Sequence, residues 1–189
     1  MAVALRDPSL ATPEFRNATG AGMNRWRDQL DYADLARARA RNIALPPQFS
    51  AINTDNPDLS AFAAAGGKLV MYHRPADEYL PVQGSVNYYL RVTARIKDVP
   101  DFYRFYLVPG FTHSGRLEGA PFVPVPQPAS GRDVMFTALQ TWVEQGSAPG
   151  TLRLVSGDGS TSLPLCAFPQ KVTYRGTGSV KAASSYTCS

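Results

Sequence analysis

The sequence predicts an α/β fold, and the stretch 66–115 carries the observations that predict it. Two short apolar runs, 68–73 and 102–108, have the length and the Gly or Pro boundaries of buried strands. A helical pattern lies between them, at about 83–96. Strand, helix and strand in this order predict a parallel pair of strands with a flanking helix.

Each predicted strand leads into a loop with a titratable side chain, Asp77 in the first loop and His113 in the second. The carboxyl ends of adjacent parallel strands lie at one edge of a sheet, so the two side chains are expected to meet. Strand, acid, helix, strand and histidine is the order of the second half of an α/β-hydrolase, where the nucleophile precedes both. We therefore predict the C-terminal half of such a fold, incomplete on its own.

A carboxylate beside a histidine suits serine-type hydrolysis, because the acid orients the imidazole that takes the serine proton. Glu78 is an alternative acid or a residue at the rim of the site. His73 ends the first predicted strand and is expected to be structural, hydrogen-bonding near the acid loop.

The nucleophile is the part of this site that the sequence lacks. No G-x-S-x-G motif occurs, and Ser114 follows the histidine too closely to reach its ring productively. The other serines considered lack the sequence context of a nucleophile; they are Ser85, Ser156, Ser160 and Ser162.

Composition argues against nucleic-acid and membrane partners. Nineteen basic and fifteen acidic residues give a net charge of +4, and the basic residues are scattered. Arg37, Arg39 and Arg41 have helical spacing without interleaved aromatic residues, which indicates a solvated face. No apolar run approaches the roughly 18 residues of a membrane span. The first residues lack the pattern of a signal peptide, so no export signal is expected in the chain as given, and it is either cytosolic or a piece of an exported protein.

The rest of the chain is predicted to form a linker region, 1–51, and the C-terminal part of the core, 52–189. Asp58 is expected to cap a short helix, and the proline-rich loop 114–131 is expected to lie on the surface. Other predicted elements are helices at 30–42, 59–65 and 133–145, an edge strand at 151–155 and a strand at 171–175.

Two cysteines, Cys166 and Cys188, lie in a Gly/Ser/Thr-rich tail. Their spacing allows a local disulfide or two unrelated thiols. No second pair of Cys or His lies nearby, which argues against a zinc site.

Several segments together resemble one family. Gly66-Gly-Lys-Leu-Val-Met-Tyr-His73, followed by Ala76-Asp77 and Leu80-Pro81, resembles the acid region of the tannase and feruloyl esterase family. Phe102-Tyr-Arg-Phe-Tyr-Leu-Val-Pro-Gly-Phe-Thr-His113 is similar to its histidine region. Further similar segments are Trp142-Val-Glu-Gln-Gly146, Leu163-Pro-Leu-Cys166 and Tyr174-Arg-Gly176, so that the resemblance covers about 52–188 in unbroken order.

The resemblance implies that Asp77 is the triad acid, that His113 is the triad base and that Cys166 and Cys188 form a disulfide. It implies hydrolysis of aromatic carboxylic esters such as gallates, ferulates or terephthalate monoesters, by an exported enzyme. The family's calcium ion lies in a lid that precedes this stretch, so no cofactor and no metal ligands are assigned. Residues 1–51 would be the stretch where the lid returns to the core.

Two features depart from the family pattern. Ser114 stands where the family commonly has a cysteine, tied to one beside the nucleophile. The acid loop reads Arg74-Pro-Ala-Asp77-Glu78 instead of Gly-Trp-Ala-Asp-Pro, and Arg74 is expected to pair with an acid or to face substrate.

Three hypotheses follow. In the first, the chain supplies acid and histidine to an N-terminal hydrolase half located elsewhere. In the second, it is a catalytically inactive remnant that serves as a binding or structural module. In the third, it is a complete hydrolase with an unrecognised serine. Half of a sheet also leaves an open strand edge, which predicts association with a partner or with itself.

Overall fold

The computed structural model describes residues 31–44, 54–113, 115–116, 124–126 and 133–189. The chain divides into two units between Asp55 and Asn56. In the first unit, helix α1 spans Tyr32–Ala44, near the predicted 30–42. Its start is a reciprocal capping arrangement, because the Asp34 N–H donates to Asp31 Oδ1 (2.8 Å) and the Asp31 N–H donates to Asp34 Oδ2 (3.2 Å). The ending predicted at Pro46-Pro47 lies outside the described residues.

The second unit is built on two parallel strands, β1 (Leu69–His73) and β2 (Tyr103–Leu107). They pair from Leu69 with Tyr103 to His73 with Leu107. Helix α3 (Val82–Arg95) connects them, after the short helix α2 (Ser60–Ala64) that precedes β1. The predicted order of strand, helix and parallel strand is therefore confirmed.

Apolar side chains cover both faces of this parallel pair, as expected for parallel strands. Alternate residues of β1 pack on opposite sides, Leu69 and Met71 on one, Val70 and Tyr72 on the other. The first side holds a cluster with α3, formed by Tyr89, Val92, Val99, Phe102, Tyr103 and Phe105. The second side holds Tyr106, Val108, Met135, Leu154, Leu165 and Ala167.

Helix α4 (Val134–Gln145) begins and ends as its sequence predicts. The Asp133 carboxylate accepts the N–H groups of Met135 (2.9 Å) and Phe136 (3.0 Å), and Gly146 ends the helix with φ +71°. Met135 and Trp142 are the buried residues of this helix, whereas Val143 is exposed. At α2, Asp58 accepts the Ser60 N–H (3.1 Å), but Leu59 occupies the cap position.

Strands β3 (Phe111–Thr112) and β4 (Gly115–Arg116) form a two-residue ladder after β2. A separate antiparallel sheet has the order β5 (Pro124–Val125), β6 (Leu152–Ser156), β7 (Ser162–Leu165). The strand predicted at 151–155 corresponds to β6, and the prediction that it lies at a sheet edge is wrong because β6 is central. Alternating apolar and polar residues indicate that one face of a strand is buried, not where the strand lies in its sheet.

The expectation that the proline-rich loop lies on the surface is wrong at two described positions. Pro124 and Pro126 are buried. Pro124 lies in β5, at the edge of this sheet, where a residue without an N–H is tolerated.

The C-terminal segment pairs β8 (Val172–Tyr174) with β9 (Tyr186–Cys188). A disulfide between Cys166 and Cys188 joins the end of β7 to β9, so the pairing implied by the resemblance is confirmed. No helix in the described ranges has the length and apolarity required to cross a membrane.

Candidate active site

The acid loop follows β1 and begins with a tight turn. The Asp77 N–H donates to the Arg74 carbonyl oxygen (2.9 Å), and Pro75 occupies the second position, where its fixed φ favours such a turn. Beyond the turn, Asp77 Oδ1 accepts the N–H groups of Tyr79 (3.0 Å) and Leu80 (2.8 Å). Local backbone geometry therefore holds the carboxylate before any distant residue contributes.

The histidine loop follows β2 at the same edge of the parallel pair. The Val108 N–H donates to the His73 carbonyl oxygen (2.9 Å), which continues the pairing beyond the strands. Gly110 then has φ +69°, a conformation that favours glycine, and the chain bends into β3. His113 follows β3 directly.

Asp77 and His113 meet across a separation of 36 residues. His113 Nδ1 lies 3.1 Å from Asp77 Oδ1 and 3.0 Å from Oδ2. The carboxylate side chain is 6% exposed, whereas the imidazole is 45% exposed. The structure thus brings together the two residues that the sequence proposed as acid and base.

The Asp77 carboxylate is held in its charged form. Desolvation acts to raise its pKa, but the Leu80 and Tyr79 N–H groups and His113 outweigh it, so that the pKa falls from 3.8 to about 2. An ionised carboxylate only accepts hydrogen bonds, so His113 Nδ1 carries the proton. In the neutral ring Nε2 then has the free lone pair, as a general base requires.

An aromatic side chain borders this imidazole. The Tyr79 ring lies edge-on to it, with ring centroids 5.1 Å apart and planes at 77°. Tyr79 is 70% exposed, and Leu80 beside it is also exposed. Sequence reasoning missed Tyr79, although its place two residues after the acid was a usable signal.

His73 is held at both ring nitrogens. Nε2 lies 3.0 Å from the Leu80 carbonyl oxygen, which only accepts, so this nitrogen carries the proton. Nδ1 then accepts from the Ser85 hydroxyl (2.7 Å). Asp77 Oδ2 is 4.0 Å from Nε2. The predicted hydrogen bond between His73 and the acid loop is confirmed.

Glu78 and Arg74 contact the backbone around His113. The Glu78 carboxylate accepts the His113 N–H (3.2 Å), while Nδ1 is bound to Asp77. Arg74 Nη1 donates to the carbonyl oxygens of Thr112 (2.6 Å) and His113. Sequence reasoning did not anticipate these main-chain contacts.

The described candidate serines have partners away from His113. Ser85 bonds to His73, and Ser156 and Ser160 donate to Asp158. The Ser162 hydroxyl accepts the Ala183 N–H. Ser114 lies outside the described residues. Within the described ranges, no group of three or more His, Cys, Asp or Glu side chains is arranged to hold a metal ion.

Comparisons with known proteins agree with the resemblance. A family model described as tannase and feruloyl esterase matches residues 6–189. The chain is 34% identical over 168 residues to a probable feruloyl esterase from Arthroderma benhamiae, covering 84% of this chain and 29% of that protein. It is 32% identical over 137 residues to a mono(2-hydroxyethyl) terephthalate hydrolase from Piscinibacter sakaiensis, covering 69% and 21%.

Among solved structures, feruloyl esterase B from Aspergillus oryzae matches with a TM-score of 0.67 and 25% identity, over 94% of this chain and 35% of that one. This match to part of a larger esterase confirms the predicted fold class. The chain spans 21% to 34% of the length of the first curated relatives that it matches.

Proposed function

Because the chain belongs to the tannase and feruloyl esterase family, we propose that it is the C-terminal portion of a serine hydrolase of aromatic carboxylic esters. In this proposal Asp77 and His113 are the acid and base of the triad, and the serine comes from an N-terminal hydrolase half. The contact between His113 Nδ1 and the Asp77 carboxylate (3.0 Å) carries the proposal.

The proposed mechanism uses the open nitrogen of His113. As the serine hydroxyl attacks the ester carbonyl, Nε2 takes its proton, and Asp77 stabilises the imidazolium that forms. Nε2 then gives the proton to the departing alcohol oxygen, which leaves an acyl-enzyme. In the second half, Nε2 takes a proton from water, water attacks the acyl group, and the serine recovers its proton from His113.

The exposed Tyr79 ring beside the imidazole supports an aromatic substrate. Tyr79 and Leu80 are both exposed and follow the acid within three residues. An aromatic acyl group bound near Nε2 would bury part of this surface, which favours binding. The family resemblance and the disulfide support an extracytoplasmic location, since disulfides persist in oxidising compartments.

Reconstitution with a candidate N-terminal half tests this function. The two parts are mixed, and hydrolysis of a chromogenic hydroxycinnamate ester is followed with wild-type chain and with His113→Ala. We expect turnover that requires both parts and is lost in the variant. Turnover that does not depend on His113 would overturn the proposal.

The alternative is a catalytically inactive binding or structural module, which the altered acid loop and Ser114 favour. A partner-loaded complex that binds an aromatic ester without cleaving it is the result expected for that alternative. Reaction of the chain alone with a fluorophosphonate would instead support a nucleophile within these residues.

A further inference from the structure

The acid loop also contacts the backbone around His113. Arg74 and Glu78 lie in the same loop as Asp77, at the end of β1. Arg74 donates to the carbonyl oxygens of Thr112 (2.6 Å) and His113, and Glu78 accepts the His113 N–H (3.2 Å). The main chain is therefore bound on both the N–H and the C=O side of His113.

The described strands of the histidine loop are short. Strands β3 and β4 form a ladder of two residue pairs, and so short a hairpin is marginal by itself. The His113 side chain is 45% exposed, so packing restrains it weakly. The polar contacts from Arg74 and Glu78 therefore add direct restraints on the backbone at His113.

The acid loop is suited to act as the fixed partner. Its turn is closed by the hydrogen bond from the Asp77 N–H to the Arg74 carbonyl oxygen, and Pro75 restricts the backbone within it. The parallel pair anchors the start of this loop through β1. Arg74 and Asp77, the first and last residues of the turn, thus reach the histidine loop from one rigid segment.

We propose that Arg74 and Glu78 are positioning residues, a polar clamp that holds the His113 backbone where its imidazole meets Asp77. The position of the His113 Cα limits where its ring can go. Nδ1 can reach the Asp77 carboxylate only if that Cα stays in place. Charge-assisted hydrogen bonds are stronger than neutral ones, and both clamp side chains carry charge. The clamp would thus join the acid loop to the histidine loop and keep the distance between Asp77 and His113 constant.

The experiment reads the His113 ring directly and does not need catalysis. The full chain has two histidines, so ¹⁵N spectra of the imidazoles contain two ring systems, and His73→Gln assigns them. In its neutral form, we expect the wild-type His113 ring to carry its proton on Nδ1, which faces the Asp77 carboxylate. In Arg74→Ala, the ¹⁵N chemical shifts of the His113 ring should move toward values averaged over both tautomers. The chemical shifts of the His73 ring should not change.

Matched variants separate the clamp from general loss of structure. Arg74→Lys keeps a cationic donor and should shift His113 less than Arg74→Ala does. Glu78→Ala should act in the same direction, while Glu78→Gln keeps a neutral acceptor oxygen and should shift His113 less than Glu78→Ala does. Arg95→Ala removes an arginine that pairs with Asp58 (2.8 Å). This variant should change the ¹⁵N signals of neither histidine ring.

An unchanged His113 tautomer in the double variant Arg74→Ala with Glu78→Ala would overturn the clamp. If Arg74→Ala unfolds the chain, both rings change together, and the pair Glu78→Ala and Glu78→Gln then decides. Equal spectra for those two variants would contradict the role of Glu78.

This inference rests on the proposed function for its catalytic consequence. In the reconstituted esterase, Arg74→Ala should lower kcat about 10²-fold with a smaller change in KM, because misplacement by about 1 Å has costs of that order. Arg74→Lys should recover part of the loss. If the variants shift the His113 signals but the reconstituted wild-type enzyme shows no turnover, the clamp is supported and the proposed function is rejected. If the wild-type enzyme turns over and the variants leave the His113 signals unchanged, only the clamp is rejected.

Discussion

His73 and His113 both lie beside the Asp77 carboxylate, but their ring nitrogens have different surroundings. His73 is bound through one nitrogen to Ser85 and through the other to the Leu80 carbonyl oxygen, and its side chain is 13% exposed. His113 uses only Nδ1 for the carboxylate and remains 45% exposed. A histidine with both nitrogens occupied has no lone pair left for catalysis, so exposure and partners separate a structural ring from a candidate base.

The largest expected difference between the two histidines is in turnover by the reconstituted esterase. His113→Ala removes the group that accepts the serine proton, and loss of a triad histidine lowers kcat by about 10⁶-fold. His73→Gln leaves Nε2 of His113 in place and should retain most of this activity. Steady-state kinetics on a hydroxycinnamate ester provide the measurement, and comparable losses in the two variants would erase the distinction.

Asp77→Asn tests the residue that the two histidines share. The amide keeps the size of the side chain but no longer selects the tautomer with the proton on Nδ1, and such a change lowers kcat about 10⁴-fold. The loss should fall on kcat more than on KM, because the carboxylate contacts the imidazole and not the substrate. A variant with kcat within tenfold of wild type would show that Asp77 is not the triad acid.

His73→Ala should affect stability more than His113→Ala does. It leaves the part-buried Ser85 hydroxyl without its partner, and an unsatisfied buried polar group costs about 1–3 kcal/mol. His113→Ala removes an exposed ring and should lower the free energy of unfolding less. Urea denaturation of the chain measures both. A greater loss in His113→Ala would reverse the assignment of the structural ring.

The smallest expected effect concerns acid stability of the loop that both histidines contact. The pKa of Asp77 is about 2 in the folded chain and 3.8 otherwise, so its stabilising contribution is present above about pH 4 and is lost as the pH falls through 2. Asp58 and Asp158 have pKa values lowered to about 2 as well. The wild-type urea midpoint should therefore decrease between pH 4 and pH 2.

Asp77→Asn isolates one part of this acid effect. The variant lacks one of the three carboxylates and should lose less stability over the same pH range than wild type. Asp58→Asn removes another of these carboxylates, which pairs with Arg95 away from the site, and should reduce the loss in the same way. Identical pH dependence in Asp77→Asn and wild type would contradict the lowered pKa of Asp77.

Local features of the sequence were sufficient to predict the main elements. The apolar runs at β1 and β2, the helical patterns at α3 and α4, and the acid and histidine loops were all read correctly. These features work because strand and helix periods, turns and caps depend on residues a few positions apart. The disulfide came from the family resemblance, since spacing alone left two thiols as an equal possibility.

The sequence by itself thus determined which loops carry the acid and the histidine and that the strands before them are parallel. Only the tertiary structure decided that β6 is central, that Pro124 and Pro126 are buried, and that Arg74 and Glu78 bind the His113 backbone. Each of these depends on which distant backbone segments lie side by side, and residues 35 to 39 positions apart leave no local pattern that records their contact.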